Sequence, residues 1–214
     1  GGAILAFSDL LGNDYIYVNA YSTAQGQGDF FRSLNVAISR LHVGKRANLG
    51  YGVYRYGGQR YDITDPDAST ELPLLYEELW GGFGSVSYPL SMFQRVELQT
   101  SLTYSDREII GRVDREAVLL SNTAALVHDN ALYSQWGPVE GWRGNLTFGY
   151  TSDVAYSNVS YYTVIADVRK YWRPLPDVTF AQWGAFRANI GEEARLFYLG
   201  GPWDLRGRRF YSVR

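Results

Sequence analysis

The sequence predicts an all-β fold, an antiparallel transmembrane β-barrel with about ten strands in this chain. Three observations predict it. Apolar and small polar residues alternate over long runs, the period of a strand with two unlike faces. Most of these runs reach the roughly 9–11 residues that a tilted strand needs to cross a bilayer. The connections between them are by turns short and long, as in outer-membrane barrels. Composition agrees: 18 Tyr, 10 Phe and 6 Trp among 214 residues, with 23 Gly, suit strands and the aromatic girdles of a membrane wall.

Taken in order, strands are expected at 2–9, 14–23, 31–42, 46–56, 74–88, 92–106, 114–129, 140–152, 156–172 and 177–190. Short turns are expected at Leu10–Asn13, Val43–Lys45, Pro89–Ser91, Gly137–Glu140 and Arg173–Pro176. Longer loops fall at Ala24–Phe30, Gly57–Pro73, Arg107–Val113 and from Gly191 onward, with a short connection at Asp153–Ala155 breaking the rule. The 57–73 loop carries Asp62, Asp65 and Asp67 and reads as cell-surface chain. The whole of 1–214 is expected to be one barrel domain, truncated at both ends.

The alternation assigns faces. Leu34, Val36, Ile38, Leu49, Tyr51, Val53, Val96, Leu98, Leu102, Leu146, Phe148, Tyr150, Val164 and Val168 are expected to face lipid. Gly, Ser, Asn, Thr and Gln alternate with them and suit a wet lumen better than the Lys/Glu-rich outside of a soluble sandwich. On this assignment Val36→Arg puts a charge into hydrocarbon, whereas Asn35→Arg points into water.

Several classes are disfavoured. A net charge of −2 argues against an electrostatic nucleic-acid partner. With no cysteine, a disulfide framework and a cysteine zinc site are impossible. No apolar run reaches the roughly 18 residues of a membrane helix. The mean hydropathy of −0.23 decides nothing, because lumen and lipid faces average out. An exported chain needs a signal peptide, and none stands at Gly1, so the native start is expected elsewhere.

The segment Tyr198-Leu199-Gly200-Gly201-Pro202-Trp203-Asp204-Leu205-Arg206-Gly207-Arg208-Arg209-Phe210 follows the last strand. It resembles the inward-folded sixth extracellular loop of BamA/TamA-type outer-membrane assembly barrels, whose Arg-Gly pair follows an aliphatic residue. Here an aromatic comes only at Phe210, after Arg208. Phe7-Ser8-Asp9-Leu10-Leu11-Gly12, Ser87-Tyr88-Pro89-Leu90-Ser91 and His128-Asp129-Asn130 with Gly137-Pro138-Val139-Glu140-Gly141-Trp142-Arg143 resemble further hairpins of that family. By strand parity the chain would be strands two to eleven of sixteen, with open edges.

The resemblance implies a bacterial outer-membrane component that inserts or translocates polypeptides. Its partners would be the lipid bilayer, unfolded outer-membrane protein clients, and periplasmic or lipoprotein accessory subunits. It implies a functional loop of Gly200, Gly201, Leu205, Arg206 and Gly207, in which the Arg206 guanidinium docks on the inner wall. A surface arginine on an ordinary loop is the plainer reading, and Arg195 serves as the inert comparison. Glu97, Asp167, Arg169 and Arg187 fall in the lumen phase, as pairing charges or as ordinary wall residues. His42 and His128 are too few for a metal, and the acidic residues of 62–78 lack calcium-loop spacing. Neither a catalytic motif nor a phosphate loop is present, so no enzyme, cofactor or metal is expected. A passive pore and a soluble ligand-binding β-barrel are the alternatives.

Overall fold

In a computed structural model, residues 1–23, 33–61, 74–109, 115–195 and 197 are described. Among them are eleven strands and no helix: β1 (Gly2–Ser8), β2 (Asp14–Ser22), β3 (Leu34–His42), β4 (Asn48–Tyr61), β5 (Leu74–Pro89), β6 (Gln94–Ile109), β7 (Arg115–Asp129), β8 (Leu132–Ser134), β9 (Gly137–Asp153), β10 (Ser160–Leu175) and β11 (Val178–Glu192). They form one antiparallel sheet in the order β1-β2-β3-β4-β5-β6-β7-β9-β10-β11, with β8 paired only to β9. The sheet is not closed into a barrel: among the described residues β1 and β11 each have a partner on one side only.

The expected meander is present, with local corrections. An eleventh strand, β8, makes a small hairpin with β9 inside the connection after β7. Residues 137–140, expected to be a turn, open β9 instead, because Leu132 pairs with Glu140 and Tyr133 with Pro138. β4 runs on to Tyr61, β6 to Ile109 and β10 to Leu175, so the loops after β4 and β6 begin later than expected. The short connection at 153–155 is a longer turn, 154–159. Most of the long loops, at 24–32, 62–73 and 110–114, lie outside the described residues, as does the chain from 198 onward.

Turn chemistry explains the short ends. The Asp9 carboxylate accepts from the Asn13 and Asp14 amides at 2.7 and 3.0 Å, and Gly12 takes the left-handed φ of 69° that closes this turn. After β7, the Asn130 side chain accepts from the Trp142 amide at 2.8 Å, and Arg143 pairs with Asp129 at 3.0 Å. These residues of the quoted hairpin motif thus fasten the two ends of the connection to each other.

Register places even-numbered residues of β5, β6, β7, β9, β10 and β11 on one face and odd-numbered ones on the other. Every buried strand residue with a side chain is on the second face: Asn35, Glu77, Leu79, Ser105, Ala117, Thr151, Asp153, Tyr161 and Tyr171. This face is concave, because Arg195, just past β11, meets Glu77 of β5 across it. The fourteen residues expected to face lipid lie on the other, convex face. Ten of them are exposed and four half-buried, none buried.

Candidate functional site: the two faces of the sheet and the exit of β11

The convex face is an apolar band with polar borders. On β5 it runs Trp80, Gly82, Gly84, Val86, Tyr88, and on β6 Val96, Leu98, Thr100, Leu102, Tyr104, without a charge. Trp80, Tyr104, Tyr150 and Tyr162 stand toward the long-loop end, and Phe7, Tyr88, Trp142, Trp172 and Phe180 toward the short-turn end. Charges on this face stand near the ends, several of them paired. Arg40 holds Asp14 at 2.9 Å and His42 holds the same carboxylate at 3.1 Å. Arg55 holds Glu78 at 2.9 Å, and the Trp80 indole donates to that carboxylate at 2.8 Å. His42 is therefore a paired strand residue, not a loose turn residue. His128 is stacked on Trp142 with centroids 3.9 Å apart.

The concave face is mixed: small and polar side chains line its middle, with larger ones such as Leu79, Phe83, Tyr161 and Tyr171 elsewhere on it. A hollow of about 640 Å³ there is bordered by Asn48, Ser85, Ser87, Gln99, Thr123 and Thr147 among others. All four expected lumen charges are on this face. Glu97 pairs with Arg95 at 2.6 Å. Asp167 pairs with Arg169 at 3.0 Å and accepts from the Trp183 indole at 2.8 Å, while the Arg169 guanidinium sits 5.5 Å from that ring. Arg187 stands opposite Ile165. Register gathers three of them, Asp167, Arg169 and, diagonally across on β11, Arg187, but not Glu97, which shares a cross-strand row with Arg187 four strands away.

A second group of charges was not expected. At the long-loop end of the concave face, the Glu77 carboxylate is 3% exposed. It accepts from Ser105 Oγ at 2.9 Å and Arg107 Nε at 2.8 Å, and Arg195 Nη2 lies 3.6 Å away. Beside it Arg115 pairs with Glu193 at 2.8 Å. A small cavity between Arg107, Arg115, Tyr161, Glu193 and Arg195 links the two pairs. A buried carboxylate is tolerated only when paired and hydrogen-bonded, and Glu77 is both. Arg195, expected to be inert, is part of this group. Its clue in the sequence was parity, since Glu77, Arg107 and Arg115 all fall on the lumen phase of their strands.

At the same end Asp153 organises the turn into β10. Its Oδ1 accepts from the amides of Val118, Ala155 and Tyr156 at 3.0–3.2 Å, and its Oδ2 from that of Asn158 at 3.3 Å. Tyr156 in that turn donates to Glu116 at 2.8 Å, and the carboxylate pushes the phenol pKa above its ordinary value.

Gly200, Gly201, Leu205, Arg206 and Gly207 lie outside the described residues. Among the described residues no cluster of three or more His, Asp or Glu is placed to hold a metal ion. No family model matches the chain, and no match was found among the curated proteins.

Proposed function

We propose that this chain forms part of the wall of a transmembrane β-barrel of the BamA/TamA type, which inserts polypeptides into an outer membrane or passes them across it. The observation that carries the membrane reading is the two-faced sheet. Its convex face is apolar, with aromatic residues toward both ends and paired charges near them. The nine residues Trp80–Tyr88 extend about 27 Å along the strand at about 3.4 Å each. Tilted by about 40°, that rises about 21 Å, most of the roughly 25 Å apolar band of outer-membrane barrels. In water the same face would be a large exposed apolar patch, which soluble monomers avoid.

The assembly reading rests on two further points. The Arg-Gly segment around Arg206 follows β11, whose exit bends onto the concave face, the direction that the resemblance requires of this loop. The second point is the resemblance itself, which implies a seam between the first and last strands of the complete barrel whose unpaired edge receives a client strand by backbone hydrogen bonding. The chemistry needs no cofactor: backbone donors and acceptors exchange partners. The lipid bilayer and unfolded outer-membrane clients are the partners this implies.

The test is client insertion by the complete barrel carrying Arg206→Ala or Arg206→Lys, with heat-modifiable gel mobility as the folding readout. Lys45, exposed beside a short turn, is the control position, because Arg195 is engaged. Loss in the alanine variant with partial recovery in the lysine variant is expected, since an ammonium cannot reproduce the planar fork. Undiminished insertion by Arg206→Ala would remove the assembly reading. A concave face with small and polar side chains along its middle also suits a passive pore. Ion conductance with no effect on client insertion would favour that reading.

A further inference from the structure

The contacts of residues 193–195 are hard to reconcile with a flat sheet. Arg195 lies three residues beyond the end of β11, yet it reaches Glu77 on β5. The path β11-β10-β9-β7-β6-β5 is five strand spacings. At about 4.8 Å each that is roughly 24 Å across a flat sheet. Three extended residues cover only about 10 Å, and the segment does not run out even that far, because the Asn189 side chain holds the Arg195 carbonyl back beside β11. Glu193 spans three spacings to Arg115 on β7 in the same way. The Asn189 side chain of β11 donates from Nδ2 to the Arg195 backbone carbonyl at 2.6 Å and folds residues 193–195 back against the strand. The two ties are unequally exposed: on the wall side the Arg115 side chain is 21% exposed and Glu77 3%, and on the strap side Glu193 is 55% exposed and Arg195 37%.

We propose that residues 193–195 are an internal strap, anchored at Glu77 and Arg115, that holds the long-loop end of this sheet curved by tying the exit of β11 to β5 and β7. The strap shortens the chord across the concave face, and the neighbouring strands bend to meet it. Leu79, Ala117 and Tyr161 are buried at this end of the face, where the sheet is drawn in. The inference uses only the sheet and its exit segment and does not depend on a membrane. The Arg195–Glu77 pair is screened less by salt than the more open Arg115–Glu193 pair. The strap is therefore expected to loosen first at Glu193 and last at Glu77.

The experiment is a distance measurement between spin labels at Ala194→Cys and Ser101→Cys, in a chain whose native sequence has no cysteine to compete. It is made on the whole chain in detergent micelles. The parent should give one narrow distance. The double variant Glu193→Gln/Arg195→Gln should give a longer and broader distribution. These substitutions lie outside the strands and leave every ladder hydrogen bond in place, so a failure to fold is not built into the test. Glu77→Gln, which removes the anchor from the wall side, should shift the distance in the same direction. A broad distribution in the parent, or a double variant with the parent's distance, would overturn the strap. Neither result touches the assembly reading, which is decided by client insertion.

Discussion

The ring of Tyr54 on β4 lies across Gly81 of β5, its neighbour in register, and its hydroxyl reaches Thr103 of β6 at 2.6 Å. A methyl group built on Gly81 would stand 2.7 Å from the Tyr54 ring. One side chain thus spans three strands on the concave face, and the missing Cβ of the glycine is the space it occupies. Gly81→Ala is expected to displace the ring and break the bond to Thr103. Tyr54→Phe removes only the bond, at a cost of about 1 kcal/mol. Gly81→Ala should lower the unfolding midpoint in urea more than Tyr54→Phe. Equal midpoints for the two variants would count against the ring's packing role.

The alternation made the two faces legible, because a period of two is a direct consequence of the pleat and needs no tertiary information. Val96, Leu98 and Leu102 could be assigned to one face for that reason. Adjacent charges were harder. Glu77 and Glu78 follow one another, so one must face each way, and their identity does not say which is enclosed. The difference lies in what the neighbouring strands bring: Ser105 and Arg107 to Glu77, Arg55 and Trp80 to Glu78. Asn35 was read as a water-facing lumen residue, but it is 4% exposed. It accepts from the Gly57 amide at 3.1 Å and donates to the Ser33 carbonyl at 2.8 Å. Its face was readable; its partners at the rim were not. β8 is not legible in the sequence, because three residues are too few to show a periodicity.

The correction at Asn35 changes how the faces should be probed. An arginine there would break two hydrogen bonds, so it is no neutral counterpart of Val36→Arg. Leu98 and Gln99 are the better pair: adjacent on β6, on opposite faces, both exposed, with no side-chain bond at stake. Leu98→Arg should reduce folding into lipid vesicles, at a cost of about 2–4 kcal/mol near the midplane. Gln99→Arg should fold nearly as the parent does. Equal yields would count against a lipid-facing convex surface.

Glu77 and Glu78 make a second matched pair. Glu77→Gln leaves Arg107 enclosed with a neutral partner, and a buried charge without its counter-ion is strongly destabilising. Glu78→Gln weakens an Arg55 pair at which both side chains keep some contact with water, 20% and 28% exposed, where the loss is small. The unfolding midpoint should therefore fall clearly for Glu77→Gln and little for Glu78→Gln. The reverse order would show that the enclosure of Glu77 does not govern stability here.

Asp153 offers the sharpest local test. Four backbone amides converge on its carboxylate, from Val118 on β7 and from Ala155, Tyr156 and Asn158 in the following turn. Buried amides left without acceptors cost about 1–3 kcal/mol each where water cannot replace the bond. Asp153 itself is only 6% exposed, so replacement by water is incomplete. Asp153→Ala should cost about 2–4 kcal/mol in all, because the turn can relax toward solvent and recover part of the loss. Asp153→Asn keeps one carbonyl oxygen, and Oδ1 alone accepts three of the four bonds, so it should retain more stability than alanine. Its amide group would meet the Asn158 amide, donor against donor, and full rescue is not expected. Amide hydrogen exchange reads this directly. The amides of Val118, Ala155 and Tyr156 should lose protection in Asp153→Ala and keep part of it in Asp153→Asn. Unchanged protection in the alanine variant would mean that the turn is held by its backbone bonds, Asp153 to Val159 and Val154 to Val118, and not by the side chain.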